Sequence, residues 1–499
     1  MPLVLGTHRY NEMNQDVYAK IKAGPLAKML VLDEGDIERA VACIAQVEAD
    51  KVETVRLVFP DQHGILRGKN IVANALASAF ASGVGMPSTL LLKDTSQKTV
   101  FPVWNEEVSI GKLALNGASD VLMVPRVETM VAPPWSAHSR LIMCDLVDRE
   151  GHPISVSSRQ VLLNAISKLT VAGYSALMGL EVEFQLYERV DDGLDHNAAG
   201  MPPKAVKTRN LTQGGQYLAE HRYRDVENIL DELRRAGEEI GLSVRTMEIE
   251  MGPSQFEFTF EPSDPLTQAD RFVLFRTMVK EISSNNGLHA SFMAKPKLPN
   301  AAANGWHMHQ SLSSIETGKN CFMPNKGNEL TKESSGWIAG LLDHAMASCL
   351  LTTPTVNGYK RFTPFQLAPN RIQWGYDNRG AMIRALLFEG DGASRIENRV
   401  ADSTANPYFA FAGQILAGLD GIKRGATPPE ATNSPYDSKA QLLPQNLIAA
   451  IEAFETSAFY RDVLGDAFVD YLSHIKRAEW DRYLMTVSEW EQDEYFNLY

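Results

Sequence analysis

Apolar residues recur every three to four positions in DEGDIERAVACIAQVEAD, residues 33–50, and predict an amphipathic helix. Shorter apolar runs follow, TVRLVFPD at 54–61 and DVLMVPR at 120–126, each bounded by turn formers and each of strand length. They outline a small mixed unit over 36–132, preceded by an N-terminal extension over 1–35. From 133 to 499 amphipathic helices alternate with strands that carry charges. Arg224 to Ile240, for instance, sets Val226, Ile229, Leu230 and Leu233 on one side of a helix. Polar segments containing Gly and Pro near 191–216 and 425–444 read as long loops, and no internal repeat is visible.

Within the second region the strands share an unusual alternation. In GLEVEFQLYE, residues 179–188, Glu181 and Glu183 project from one face while Leu180, Val182 and Phe184 project from the other. In MEIEMGPSQFEFTFEP, 247–262, Phe256, Phe258 and Phe260 share a core face and turn Glu257 to the opposite side; Glu250 precedes it across a Gly-Pro turn. The same rule groups Arg395, Glu397 and Arg399 in SRIENRVAD, and His307 with His309 in NGWHMHQSL. A single alternating Glu is usually a solvated strand face, and a lone His a structural residue. As a set they differ, because clustered carboxylates raise one another's pKa unless a cation intervenes. Oxygen-rich sites with an occasional imidazole suit Mg²⁺ or Mn²⁺. Arg361, Arg379, Arg384, Arg395 and Arg399 would add forks for carboxylate and phosphate groups, and metal with clustered Arg is the inventory of phosphoryl transfer.

Composition narrows the partners. The 499 residues carry 48 Lys and Arg against 61 Asp and Glu, a net charge of -13 with no basic block, which argues against nucleic acid or an anionic membrane surface. Cys43, Cys144, Cys321 and Cys349 are scattered without a CxxC pair, so neither a disulfide framework nor a zinc site is implied. The N-terminal stretch lacks an apolar signal core, and the apolar run near 406–419 is interrupted by Asn406, Pro407 and Asp420. A cytoplasmic protein with no membrane span is expected. No GxxxxGK[ST] is present, GVGMPS at 83–88 lacks the last Gly of a dinucleotide fingerprint, and neither HExxH nor GxSxG occurs.

An ordered series of motifs resembles the glutamine synthetase superfamily, in its γ-glutamyl-amine ligase branch. It runs from DQHGILRGK (61–69) and SDVLMVPR (119–126) through EVEF (181–184), EMGPSQFE (250–257) and GWHMHQS (305–311). NGYKRFTPFQLAP (357–369), NRGAMIR (378–384), RIENR (395–399) and ANPYFAFAGQILAGLDGI (405–422) continue it. The resemblance implies an α+β fold: a β-grasp N-terminal domain, and a catalytic domain whose curved antiparallel sheet forms half of an active-site funnel. A neighbouring subunit closes the funnel, so a homo-oligomer of stacked rings, a dodecamer, is expected. It also implies ATP as co-substrate, glutamate and an amine as the other substrates, and two or three Mg²⁺ or Mn²⁺ per site. By position, Glu183, Glu250 and Glu257 resemble the ligands of one metal, and Glu181, His307 and Glu397 those of the other. Arg361 resembles the residue that holds the α-carboxylate of glutamate, and Arg399 the one facing its γ-carboxylate. Arg379, Arg384 and Arg395 would neutralise the transferring phosphoryl group, with His309 and Ser311 on the nucleotide side.

Departures from the family pattern bear on the amine. A glutamate that closes over the site in glutamine synthetases is replaced here by Leu367, and VGMPSTLL (84–91) has Met86 or Pro87 where an aspartate is expected. Alkyl amines such as a lysine side chain, with pKa about 10.4, are cations at neutral pH and want those acids. An aromatic amine is neutral. Leu367, Phe365, Met86 and Trp306 are therefore expected to form an apolar amine pocket, or else simply to pack a loop. Ala302 and Ala303 replace an Asn-Gly that contacts glutamate in the family, which leaves a related acid open. A γ-glutamylpolyamine synthetase or a true glutamine synthetase is the nearest alternative. A ring protein without catalysis is a third, against which the full set of metal positions argues.

Overall fold

The computed structural model describes residues 14–104, 109–111, 113–114, 116–215, 217–363 and 367–499. Helix α1 (Glu34–Ala49) starts where Asp33 accepts the Asp36 backbone N–H and Asp36 returns the contact in a capping box. Its apolar stripe, Ile37, Ala40, Cys43, Ile44 and Val47, is buried. Five strands follow: β1 (Thr54–Pro60), β2 (Leu66–Val72), β3 (Val84–Pro87), β4 (Asp120–Pro125) and β5 (Ser139–Val147). They form one sheet in the order β2-β1-β5-β4-β3, with β1 and β5 parallel and the other pairs antiparallel.

The sheet extends beyond the expected boundary at 132. A division between 132 and 133 would cut off β5, the middle strand, so the N-terminal unit runs past Val147. Within the segment expected as an N-terminal extension over 1–35, Ile21, Leu26 and Leu32 are buried in the core.

The second sheet has nine strands: β6 (Tyr174–Arg189), β7 (Thr208–Asn210), β8 (Val244–Ile249), β9 (Gln255–Phe260), β10 (Leu288–Ser291), β11 (Trp306–Ser314), β12 (Trp374–Tyr376), β13 (Ile383–Leu386) and β14 (Arg395–Asn398). The path is β8-β9-β6-β11-β14-β13-β12, while β7 and β10 pair with the far half of the long strand β6. The sheet is antiparallel, as expected, apart from the parallel pair β12 and β13 at its end. The helix predicted over Arg224 to Ile240 is α2 (Glu227–Glu239), with Leu230 and Leu233 fully buried.

One face of this sheet is packed. Helix α3 (Pro265–Asn285), whose Asp264 cap accepts the Thr267 N–H, lays Phe275 against Phe184, Phe258 and Phe260 at ring distances of 5.6, 5.4 and 5.0 Å. Helix α4 (Ala345–Thr352) packs against α5 (Pro407–Arg424), which joins the layer with Phe411 5.5 Å from Trp306 and accounts for the apolar run near 406–419; α6 (Asp466–Leu484) lies further out. Among the described residues no helix is long and apolar enough to cross a membrane. The other face of the sheet carries the charges.

Candidate active site and metal centre

Cross-strand register brings together residues that are far apart in sequence. Glu257 on β9 pairs with Glu183 on β6, His307 on β11 pairs with Glu181 on β6, and His309 on β11 pairs with Glu397 on β14. Side chains directly opposite one another in antiparallel strands stand close, and the pleat points all of these to the same face. The buried phenylalanines on the reverse face leave them no other direction.

The contacts converge on His307. Its Nδ1 lies 3.0 Å from Glu181 Oε2, 3.8 Å from Glu257 Oε2 and 3.9 Å from Glu397 Oε1, and its Nε2 lies 3.9 Å from Glu183 Oε1. Two sets of donor atoms each fall within 4.8 Å of one another: Glu181 with His307 and Glu397, and Glu183 with Glu257 and His307. Glu250 joins neither tight set; it follows β8 at the turn, where Oε2 accepts its neighbour Met251's N–H at 3.0 Å. His309 Nε2 stands 2.8 Å from Glu181 Oε1, and Arg395 Nε donates to His309 Nδ1 at 3.1 Å.

The electrostatics are divided. Burial, then the charge of Glu183, pushes the Glu250 carboxyl up to about 7. Burial and the neighbouring carboxylates of Glu183, Glu181 and Glu250 push Glu257 well above the usual carboxylate range. Burial would also raise Glu181, but hydrogen bonds with His307 and His309 hold it well below the usual carboxylate range. At Glu397, which is fully buried, Arg399, His309 and His307 outweigh burial and keep it ionised. One side of the cluster is thus neutralised by protein cations, and the other repels itself. That is where a hard cation fits: oxygen donors with one imidazole, and carboxylates ionised at neutral pH only with added positive charge nearby.

The arginines ring the cluster. Arg399 donates through Nη1 to Glu397, and Arg384 donates to Glu397 Oε2 at 3.0 Å and, through Nε, to Asp377 at 2.9 Å. Arg361 is buried and gives Nη1 to the Val400 carbonyl at 2.9 Å. The Nε groups of Arg361 and Arg399 are buried donors without a partner among the described residues. Arg379 is exposed on the loop between β12 and β13. Glu181, His309, Ser311 and Arg395 line a cavity of about 580 Å³ with Arg245 and Glu248.

Two of the four residues expected in an amine pocket are elsewhere. Trp306 is fully buried on the reverse face, stacked on Phe272 at 4.6 Å; the alternation that turns His307 and His309 to the site turns Trp306 away. Met86 lies inside the N-terminal unit, its strand β3 paired with β4, and is 1% exposed, so its side chain is core. Leu367 is 52% exposed, and Phe365 lies outside the described residues.

Three contributors escaped the sequence reading. Gln255 donates to Glu183 Oε2 at 3.1 Å and to the Ala303 carbonyl at 2.8 Å. It alternates with Glu257 on β9, so the period-two signal was available. Gly305 donates its N–H to Glu183 Oε2 at 2.8 Å, and Ser403 Oγ donates to the Glu183 and Gly305 carbonyls at 2.6 and 2.9 Å. Nothing in the local sequence marks Ser403, because its partners lie on distant strands.

Comparison with known proteins agrees with this geometry. The family model described as the glutamine synthetase catalytic domain matches residues 155–495. A γ-glutamylanilide synthase of an Acinetobacter species is 36% identical over 474 residues, covering 91% of this chain and 95% of that protein. The glutamine synthetase of Halobacterium salinarum is 33% identical over 483 residues, covering 93% and 97%. The solved structure of GmaS in complex with ADP superposes with a TM-score of 0.77 at 26% identity, covering 91% of this chain and 99% of that one; GmaS without ligand gives the same values. The chain belongs to the glutamine synthetase family, whose members are ATP-dependent ligases that form carbon–nitrogen bonds.

Proposed function

We propose that this ligase joins the γ-carboxylate of glutamate to an apolar amine of the aniline class, through a γ-glutamyl phosphate. The observation that carries the amine assignment is Leu367. Where the glutamine synthetase pattern has a closing glutamate, this chain holds an aliphatic side chain at φ 54°, 52% exposed in the single chain. The resemblance to a γ-glutamylanilide synthase supports the same amine class.

In this reading Arg361 holds the α-carboxylate through the N–H groups that Val400 leaves free, and Arg399 faces the γ-carboxylate. A γ-carboxylate oxygen attacks the γ-phosphorus of ATP, and the bond to ADP breaks. Arg379, Arg384 and Arg395 offset charge on the transferring group, while His309 and Ser311 border the nucleotide. Mg²⁺ or Mn²⁺, held by Glu183, Glu250 and Glu257 and by Glu181, His307 and Glu397, would supply the charge neutralisation that lets two anions approach. The amine nitrogen then attacks the activated acyl carbon and phosphate leaves. A neutral aromatic amine needs no deprotonation before that attack; ammonium and alkyl amines do, and no carboxylate stands at 367 to take the proton. The same reading closes the funnel with the N-terminal domain of a neighbouring chain, in stacked rings forming a dodecamer. A cytoplasmic location suits ATP and glutamate as substrates, and all four cysteines are free.

The test is a panel of amines incubated with glutamate, ATP and Mg²⁺, recording both phosphate release and product mass. Aniline-like amines should give the highest kcat/KM, and Leu367→Glu should shift the ratio of aniline to ammonium at least tenfold toward ammonium, because a carboxylate beside an apolar ring must be desolvated. A parent enzyme that prefers ammonium or a polyamine, or a ratio unmoved by the substitution, overturns the amine assignment. The 33% identity to a glutamine synthetase makes ammonium the arm to watch.

A further inference from the structure

A second cavity, of about 390 Å³, shares no lining residue with the one beside the metal cluster. It lies between the two sheets' domains. The loop Gln62–Leu66 forms one wall, α3 and β10 another, and α4 and α6 close the rest. Most of the lining is apolar, including Val273, Phe292, Leu350 and Leu472, and the charged groups set among it are all cations, Arg276, Lys280 and Lys476, accompanied by the imidazoles of His63 and His289.

Lys476 pairs with Glu479 at 3.4 Å, but among the described residues neither Arg276 nor Lys280 has a carboxylate as a hydrogen-bond acceptor. Arg276 is buried and gives its N–H groups to three carbonyls, Gly64 at 2.6 Å, Ser403 at 3.1 Å and Ala405 at 3.3 Å, with no carboxylate among them. Lys280, exposed at the mouth, has three donors and one distant acceptor, the Ala290 carbonyl at 3.4 Å. The neighbouring acids each have a nearer partner than Arg276 or Lys280. Asp61 pairs with Arg67 at 2.9 Å, Asp402 accepts from Thr404, and Glu479 faces Lys476 at 3.4 Å while also accepting from the Val356 N–H. Burial above all lowers three of these groups, with a neighbouring cation adding to it: Arg276 for Lys280, Lys280 for His289 and Lys476 for His63.

We propose that this interdomain cavity binds a small organic acid, a carboxylate carried on a compact apolar body. The apolar walls would take the body and the cations the carboxylate, which is the usual division of labour in a small-molecule pocket. An inorganic anion would leave the apolar wall uncovered, and an uncharged hydrocarbon would leave the positive charge unmatched. Occupancy reaches the catalytic strands through one segment. Ser403 and Thr404 line the cavity, the Ser403 carbonyl is held by Arg276, and Ser403 Oγ is bonded to the carbonyls of Glu183 and Gly305.

The experiment is calorimetric titration of the intact protein with benzoate, with benzyl alcohol and inorganic phosphate as comparison probes, in the presence of saturating glutamate so that the substrate site is filled. Benzoate should bind at least tenfold more tightly than either comparison probe. Lys280→Glu, a change at an exposed position, should weaken benzoate at least tenfold and leave the KM for glutamate unchanged. Arg361→Lys should leave benzoate binding intact. Absence of benzoate binding overturns the proposal. So does binding that Lys280→Glu leaves unaltered, or that Arg361→Lys abolishes, since either result puts the acid elsewhere.

Discussion

At Gly305 an added Cβ would stand 3.0 Å from His307 Nε2 and 3.2 Å from both Arg361 Nη2 and Glu183 Oε1. Three functional groups crowd one backbone atom, and none is the free end of a flexible surface chain. Gly305→Ala is therefore expected to displace the site rather than the fold. Activity should fall at least tenfold, a loss of about 1.4 kcal/mol in transition-state stabilisation, while the melting temperature changes by no more than a degree or two. A full-activity variant, or one that fails to fold, would refute the crowding argument. The sequence made the neighbours readable at this scale, since His307 and Glu183 follow from alternation. It misled where apolarity was used without facing: Trp306 sits one residue from His307, and period two alone assigns it to the core. Met86 offered no such signal, because its burial depends on pairing with β4, a tertiary fact.

Strands, rather than single residues, hold the carboxylates in place. Glu257 is fixed by Phe256 and Phe258 on the other face of β9, and Phe258 packs on Phe184 and Phe275 at 5.5 and 5.4 Å. Truncating a buried phenylalanine removes its transfer energy and leaves a cavity, at a cost of about 3 to 5 kcal/mol. Phe258→Ala should lower the midpoint of chemical denaturation by that much, and should also raise the concentration of divalent metal needed for half-maximal activity, because its neighbour Glu257 loses its support. Unchanged metal dependence in a destabilised variant would separate the packed face from the charged one and contradict this coupling. The charged strands β6, β9, β11 and β14 were legible as elements because the period of two is strong in each. Their register was not, because hydrogen-bond partners are chosen across long loops. The short strands β12 and β13 carry too few residues for any period, and their parallel pairing came only from the fold.

For the whole molecule, the boundary between domains was hidden for the same reason: β5 follows a loop that looks like a linker, yet enters the middle of the first sheet. What the sequence did expose was charge, and charge gives the molecule's stability a definite pH dependence. The Glu250 carboxyl is raised to about 7 and Glu257 is raised well above its usual value, so the folded state binds these protons more tightly than the unfolded one. Such groups contribute stability that is complete below the ordinary carboxylate pKa of 4.5 and lost as pH rises through their folded values. Glu181 and Glu397 are lowered and act oppositely, but their contribution disappears only as pH falls below that ordinary value, so it is constant between pH 5 and pH 8. Over that window the metal-free protein should melt at progressively lower temperature. Mg²⁺ or Mn²⁺ should reverse the trend, since a cation bound among the carboxylates favours their ionised forms and displaces protons. The rise in melting temperature on adding metal should therefore be larger at pH 8 than at pH 5, and Glu257→Gln should shrink the difference. Scanning calorimetry at pH 5, 6, 7 and 8, with chelator and with metal, measures each part. A metal-induced shift that is equal across the series, or largest at pH 5, would mean that the raised carboxylates are not where the cation binds.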